Sequence, residues 1–456
     1  MSVLNRGEGT WAPAESPKER RVVVIGLDGT PYSLITRLAQ EGELPHLARI
    51  LEQGSICPMN SVLPTVSSVA WACFMTGKNP GKHGIYGFVD RVPDSYEIYI
   101  SNSRSMRSET LWEVLSKSGK RVVVINVPVT YPPRQVNGIL VPGFLMPKLK
   151  TGTYPAWVGE KLEEMGYRID VDPWQARESK DKLLEDLDYT LRKRVEAAFH
   201  FLESEAWDFF MLHIMETDRL HHFLWEDMEV GDPQYGPRFL AFYKRLDEFL
   251  GELHRRLEGK ATLIVLSDHG FCLLKKEVYI NHWLREKGWL RFSQEPPESW
   301  PDIEGGSKAY SMDPGRVYLN LRGREPRGSV EPGEEYERVR KELAEGLSGL
   351  EDPETKESMV DRVFRREELY TGGCYAQAPD LVVMPKRGYD LKGSIKKERL
   401  TDRGPLVGMH TYDDSFLYIE EQGLSKGVAE IVDLMPTILH LMGVSTPDDL
   451  DGSSLI

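Results

Sequence analysis

Ser267-Asp-His-Gly270 follows directly on the apolar run Ala261–Leu266, so an acid and an imidazole stand side by side where a buried strand must turn. A second apolar run, Arg21–Leu27, delivers Asp28 and Gly29 in the same manner. Open parallel sheets hold ligands outside the carboxyl ends of their strands. Two carboxylates and an imidazole delivered there suit a divalent metal ion. Asp218 and His222 lie in Glu216–Phe223, just beyond the run Trp207–Ile214. A spacing of four puts both on one face of a helical turn, within reach of one cation. A local ion pair accounts for the same spacing. Successive helical residues diverge by about 100°, so His221 is read as packing or as support behind the site.

Ser67 belongs to Leu63-Pro-Thr-Val-Ser-Ser-Val-Ala-Trp-Ala-Cys-Phe-Met-Thr-Gly77. Pro64 keeps the preceding chain extended, the run from Ser68 has helical spacing, and Gly77 is a C-terminal stop. Ser67 therefore falls at or near a helix N-terminus, where free N–H groups and the helix dipole favour an alkoxide or a bound phosphoryl group. Serine is equally a standard capping residue. Gly77-Lys-Asn-Pro-Gly-Lys-His-Gly-Ile85 has the wrong glycine spacing for a mononucleotide loop, and His83 stands where Ser or Thr is required. Lys78 and Lys82 face either an anion or solvent, and His83 reads as a turn residue. His410, in the loop-like stretch from Gly408, is a candidate to close the sphere begun by Asp218 and His222.

The positioning elements follow from periodicity. Candidate strands are Arg21–Leu27, Arg121–Val127, Trp207–Ile214, Ala261–Leu266, Asp380–Met384 and Ser415–Ile419. Several are continuously apolar, as strands covered on both faces are. Helical patterns at Thr110–Ser118, Pro237–Leu257 and Glu430–Met442 lie between them, which implies a parallel, three-layer α/β architecture. Two stretches interrupt the rhythm. One, about 146–205, carries an amphipathic helix with Leu184, Leu187, Leu191, Val195, Ala198 and Leu202 on one face, read as packed on the core in preference to a mobile lid. The other, about 275–377, is rich in Gly, Pro and charge. It keeps a strand at Arg316–Leu321 and a helix near Glu334–Leu347, so it is read as folded.

The 456 residues can bury a large core, and the net charge of −14 speaks against general nucleic-acid binding. Cys57, Cys73, Cys272 and Cys374 form no Cys-x-x-Cys pair, as expected in a reducing compartment. The first twenty residues lack the apolar core of a signal peptide, and no apolar stretch is long enough to span a bilayer. The expectation is a cytoplasmic, enzyme-sized protein.

Taken together, Asp28, Ser67, Asp218, His222, Asp268, His269 and His410 resemble, in order and local spacing, the two-metal signature of the alkaline phosphatase superfamily. The nearest resemblance is to its type I phosphodiesterase/nucleotide pyrophosphatase branch. Pro64-Thr-Val-Ser67 with Thr76-Gly77 and Pro80-Gly-Lys-His-Gly-Ile85 resembles that branch's nucleophile motif, and Ser267–Gly270 its second metal motif. Asp433–Leu439, Gly443-Val444 and Asp451-Gly452 resemble the superfamily's C-terminal end. The resemblance implies an N-terminal tail over 1–20. After it comes one domain over 21–456, a three-layer α/β/α sandwich with a mostly parallel central sheet and inserted cap-like segments. It also implies two divalent ions, Zn²⁺ first and Mn²⁺ second by ligand type. Asp218, His222 and His410 would hold one ion; Asp28, Asp268, His269 and the Ser67 oxygen the other.

In that scheme Ser67 attacks phosphorus and forms a phosphoseryl intermediate, with phosphodiesters or nucleotide pyrophosphates as substrates. The alternatives are a phosphomonoesterase, a phosphomutase of the phosphoglycerate mutase type, or a non-catalytic metal-binding protein. Ser68 and Val69 after Ser67 do not fit the nucleophile context of sulfatases. Relatives often carry threonine at the Ser67 position, and an asparagine shortly after the His-Gly-Ile turn to hold a phosphoryl oxygen. Here Tyr86-Gly-Phe-Val89 follows instead, and Lys82, Asn102 and Asn126 are the candidates for that role. The expected partner is a small phosphorylated substrate, with no membrane and no general nucleic-acid contact.

Overall fold

The computed structural model describes residues 20–172 and 177–456; apart from Arg20, the expected tail lies outside the described residues. An eight-stranded sheet organises the chain. Its order is Ala429–Glu430, Ser55–Asn60, Ser415–Ile419, Thr262–Leu266, Val22–Leu27, Phe209–Ile214, Val122–Val127 and Gly138–Pro142. All neighbours run parallel except Ser415–Ile419, which is antiparallel to both of its partners. Alternate residues of a strand enter different cores. Val23, Ile25 and Leu27 face one core, shared with the helices Lys180–Ser204 and Gly236–Leu257. Val22 and Val24 face the other, shared with Ser67–Thr76, Leu111–Lys117 and Leu434–Leu441. Two-sided burial is why these strands read as unbroken apolar runs, and it makes the molecule a three-layer α/β/α sandwich.

The amphipathic helix of the first interruption, Lys180–Ser204, packs on the core with Leu184, Leu187, Leu191 and Ala198 buried. The second interruption builds its own core around a four-stranded antiparallel sheet: Ala309–Met312, Arg316–Leu319, Leu381–Pro385 and Val360–Arg365. The helix Glu334–Ser348 lies against it. The strand expected at Asp380–Met384 therefore belongs to this second sheet and not to the central one. Its apolar run is satisfied equally well by either core, and pairing with Val360–Arg365 and Arg316–Leu319 decides the matter.

Candidate metal centre

The carboxyl ends of three adjacent central strands carry the chemistry. Asp28 follows Val22–Leu27, Asp268 and His269 follow Thr262–Leu266, and the helix Glu216–Glu229 after Phe209–Ile214 presents Asp218 and His222. His410 lies on a short strand, Gly408–Thr411, antiparallel to Gly270–Leu273, where a loop was expected. That pairing lays its ring on His269 with centroids 3.7 Å apart. Ser67 is the first residue of the buried helix Ser67–Thr76, and Val66 is the flanking residue, so the hydroxyl makes no cap. Gly77, at φ +63°, ends that helix in the left-handed conformation.

Two groups that could each hold a metal ion result, Asp218 with His222 and His410, and Asp28 with Asp268 and His269; within each, the donor atoms lie within 4.8 Å of one another. The Ser67 hydroxyl joins the second, 3.1 Å from Asp28 Oδ1 and 3.1 Å from His269 Nε2. In the first, His410 Nε2 is 3.1 Å from both Asp218 Oδ1 and His222 Nε2.

Each carboxylate is anchored through one oxygen and presents the other. Asp28 Oδ2 accepts from Trp71 Nε1 at 3.1 Å and lies 2.7 Å from His213 Nε2, while Oδ1 faces Ser67. Asp218 Oδ2 accepts from Arg219 at 3.1 Å, and Oδ1 faces the two imidazoles. Asp268 Oδ1 accepts from the Gly29 N–H at 3.0 Å, while its Oδ2 is buried with no hydrogen-bond partner.

The imidazoles are oriented in the same spirit. His222 Nδ1 donates to Gly408 O at 2.9 Å and His269 Nδ1 to Gly270 O at 3.0 Å, which turns both Nε2 lone pairs inward. Phe271 packs its ring on His222, His269 and His410. Gly29 is required where it stands: its φ is +65°, and a Cβ would meet His269 and Phe271 at 3.0 Å.

The electrostatics fit divalent cations. Burial, and next the Asp28 charge, push the Asp268 carboxyl well above its ordinary range. Burial also pushes Asp218 up, but His222 and His410 outweigh it and hold the group well below its usual value. Asp28 is likewise pushed up by burial and brought below its ordinary value chiefly by His213. Burial lowers His269 to about 3, so its ring is a neutral donor. A partnerless buried carboxylate oxygen and inward-facing imidazole lone pairs in near contact are what a cation at each cluster would satisfy.

Other expected residues fall elsewhere. His221 donates from Nδ1 to Gly29 O and meets Tyr243 Oη through Nε2, supporting the site from behind. His83, read as a turn residue, is the buried last residue of the short helix Pro80–His83, and its Nδ1 accepts from the Ile85 N–H. Lys82 is not at the site: its ammonium is taken by Asp451 and Asp449 O. Lys78 pairs with Asp449. Asn102 spends both amide ends in its own turn, on Ile100 O and the Arg104 N–H. Asn126 is wholly buried behind the site, its carbonyl accepting from His213 Nδ1 at 2.9 Å. None of Lys82, Asn102 and Asn126 lines the cavity of about 290 Å³ over Ser67; Arg219 does. A larger cleft of about 1450 Å³ adjoins it, sharing Phe88, His222 and His410. His213 escaped the sequence reading because it sits inside an apolar strand, and Arg219 because only its adjacency to Asp218 marks it.

Fold and site together present an α/β/α sandwich with two groups of candidate metal ligands and a serine hydroxyl beside one of them. The family model for type I phosphodiesterase/nucleotide pyrophosphatase matches residues 22–413, and the chain belongs to that family. It is a metal-dependent phosphoester hydrolase of the alkaline phosphatase superfamily. Among solved structures it resembles phosphonoacetate hydrolase from Sinorhizobium meliloti, captured with phosphonoformate. The TM-score is 0.63 at 18% identity, over 94% of this chain and 97% of that one. It also resembles murine ectonucleotide pyrophosphatase/phosphodiesterase 5, an inactive variant in complex with AMP. There the TM-score is 0.57 at 14% identity, over 95% of this chain and 98% of that one. No helix among the described residues is long and apolar enough to cross a membrane.

Proposed function

We propose that the protein hydrolyses phosphodiesters, pyrophosphate-linked diesters included, through a phosphoseryl intermediate on Ser67. The observation that carries this reading is the Ser67 hydroxyl, held 3.1 Å from both Asp28 and His269 at a helix N-terminus and lining one cavity with Asp218, His222 and His410. Asp218, His222 and His410 would hold one divalent ion, and Asp28, Asp268, His269 and Ser67 the other, with Zn²⁺ or Mn²⁺ suited to the donors. When bound, the ions supply Lewis acidity that favours the serine alkoxide and neutralises charge on the phosphoryl oxygens.

The chain's own residues do the rest. Ser67 Oγ forms the bond to phosphorus as the ester oxygen opposite departs, and water then cleaves the phosphoseryl ester. The N–H groups that open the helix Ser67–Thr76 serve the non-bridging oxygens, the role the sequence reading gave to Lys82, Asn102 or Asn126, and Arg219, whose guanidinium is held by Asp170 and Asp218, adds positive charge beside the cavity. Nothing in this scheme needs a membrane or a nucleic-acid surface.

The test is hydrolysis of bis-p-nitrophenyl phosphate beside p-nitrophenyl phosphate after loading with Zn²⁺ or Mn²⁺, with Ser67→Ala as control. Ser67-dependent preference for the diester supports the reading. Preference for the monoester makes the protein a phosphomonoesterase. Silence on both overturns hydrolysis of simple esters and brings phosphomutase chemistry forward.

A further inference from the structure

The chain that enters the Ser67 helix has little backbone bonding of its own. Leu63, Pro64, Thr65 and Val66 run between the central strand Ser55–Asn60 and the helix Ser67–Thr76, and all four line the larger cleft. Val66 is extended, at φ −154° and ψ 139°, and its carbonyl accepts from Val69 and Ala70 inside the helix. Thr65 Oγ1 donates to Val62 O at 3.0 Å, within the same segment. Among the described residues, the backbone of 63–66 makes one hydrogen bond to a distant part of the chain. Tyr370 supplies it, donating from Oη to Leu63 O at 2.9 Å.

Tyr370 belongs to the lobe built on the four-stranded antiparallel sheet, just past the short helix Arg366–Leu369 that follows the strand Val360–Arg365. Burial pushes its phenol well above the usual range, so the hydroxyl keeps the proton it donates. Its ring stands edge to face on Tyr86 at 5.3 Å. The two rings share a small core with Leu63, Ala378 and Val382, apart from the larger ones. Tyr86 returns the bond, donating from Oη to Cys374 O at 2.9 Å. The two hydroxyls are alike in burial and chemistry and differ in what they hold. Tyr370 holds the approach to Ser67; Tyr86 holds the lobe.

The first residue of a helix takes its place from the chain that enters it, and small displacements of a reacting group are felt strongly in rate. Tyr370 lines neither the cavity over Ser67 nor the cleft, so any effect it has on chemistry passes through Leu63. Resting on the reading of Ser67 as nucleophile, we propose that Tyr370 is a positioning residue for it. The antiparallel lobe fixes the attack geometry of Ser67 through the hydroxyl bond to Leu63 O.

Tyr370→Phe and Tyr86→Phe, compared in metal-loaded full-length protein, test this. Both should lower the melting temperature by similar amounts, since each strands one carbonyl. In diester hydrolysis Tyr370→Phe should lower kcat by about tenfold or more with KM kept within about twofold. Tyr86→Phe should leave both near the parent values. Equal losses of kcat in the two variants make the bond a matter of general stability and overturn the proposal, as does an unchanged kcat in Tyr370→Phe. Amide exchange over residues 62–70, read by mass spectrometry, needs no turnover: Tyr370→Phe should speed it and Tyr86→Phe should not. That contrast beside absent diester hydrolysis in the parent leaves the tie standing and overturns the phosphodiesterase reading alone. Equal exchange in the two variants overturns the tie whatever the parent hydrolyses.

Discussion

At the scale of single residues, the site works by dividing each carboxylate. Asp28, Asp218 and Asp268 each spend one oxygen on the protein and aim the other inward. In the proposed mechanism Ser67→Ala removes the attacking oxygen and one of four ligands, so turnover should fall by about three orders of magnitude or more. Metal content, read by inductively coupled plasma mass spectrometry, should stay near that of the parent. Burial and the neighbouring Asp28 charge raise the Asp268 pKa, so the carboxyl keeps its proton well above the ordinary carboxylate range. Metal binding needs the carboxylate and must expel that proton. Calorimetry in buffers of different ionisation enthalpy should therefore detect proton release on loading. The release should fade as pH rises past the raised value, and it should be smaller in Asp268→Asn, which is also expected to lose metal from its cluster.

At the scale of elements, the helix Glu216–Glu229, which presents Asp218 and His222, is clamped by the helix Lys180–Ser204. Arg194, fully buried, donates from Nε to both oxygens of Glu216 at 2.8 and 3.0 Å, and from Nη2 to Ile169 O at 2.8 Å. Glu216 stands two residues before Asp218, so this pair holds the first turn where the ligand is presented. Breaking a buried pair strands a charge and costs about 3–5 kcal/mol. Arg194→Ala should lower the melting temperature and weaken metal binding at the Asp218 cluster, as calorimetry and metal titration would show. A variant that melts normally would reduce the helix Lys180–Ser204 to passive cover.

At the scale of the whole molecule, the second core has an electrostatic keystone of its own. Asp380 is fully buried; Arg324 donates to its two oxygens at 3.0 and 2.6 Å, and Tyr336 and the Leu319 N–H add further bonds. Burial pushes this carboxyl up, but Arg324, with help from Arg366, outweighs it and holds the group below its ordinary value. A depressed carboxylate contributes stability that is complete above its unfolded pKa of about 3.9 and is lost as pH falls through the depressed folded value. Acid should therefore loosen the lobe built on Ala309–Met312, Arg316–Leu319 and Leu381–Pro385. Asp380→Asn should remove that part of the acid dependence. Hydrogen exchange across this lobe between neutral pH and pH 3 would read the effect directly.

The placement of the candidate ligands was legible in the sequence because it is encoded locally. Asp28, Asp268 and His269 follow apolar runs that must be strands, Asp218 and His222 share a helical face, and Gly77 marks the stop of the Ser67 helix. Tertiary structure decided what local pattern does not carry. His213 and Trp71 look like core until the fold brings them to Asp28. Lys82 looks like an anion contact until Asp451 arrives from the far end of the chain. The run Leu381–Pro385 suits either sheet, and its partners are chosen by which apolar face it completes. His410 becomes a neighbour of His269 only through the pairing of Gly408–Thr411 with Gly270–Leu273. Periodicity and spacing set what a segment presents; the burial of distant apolar faces against one another sets which groups meet.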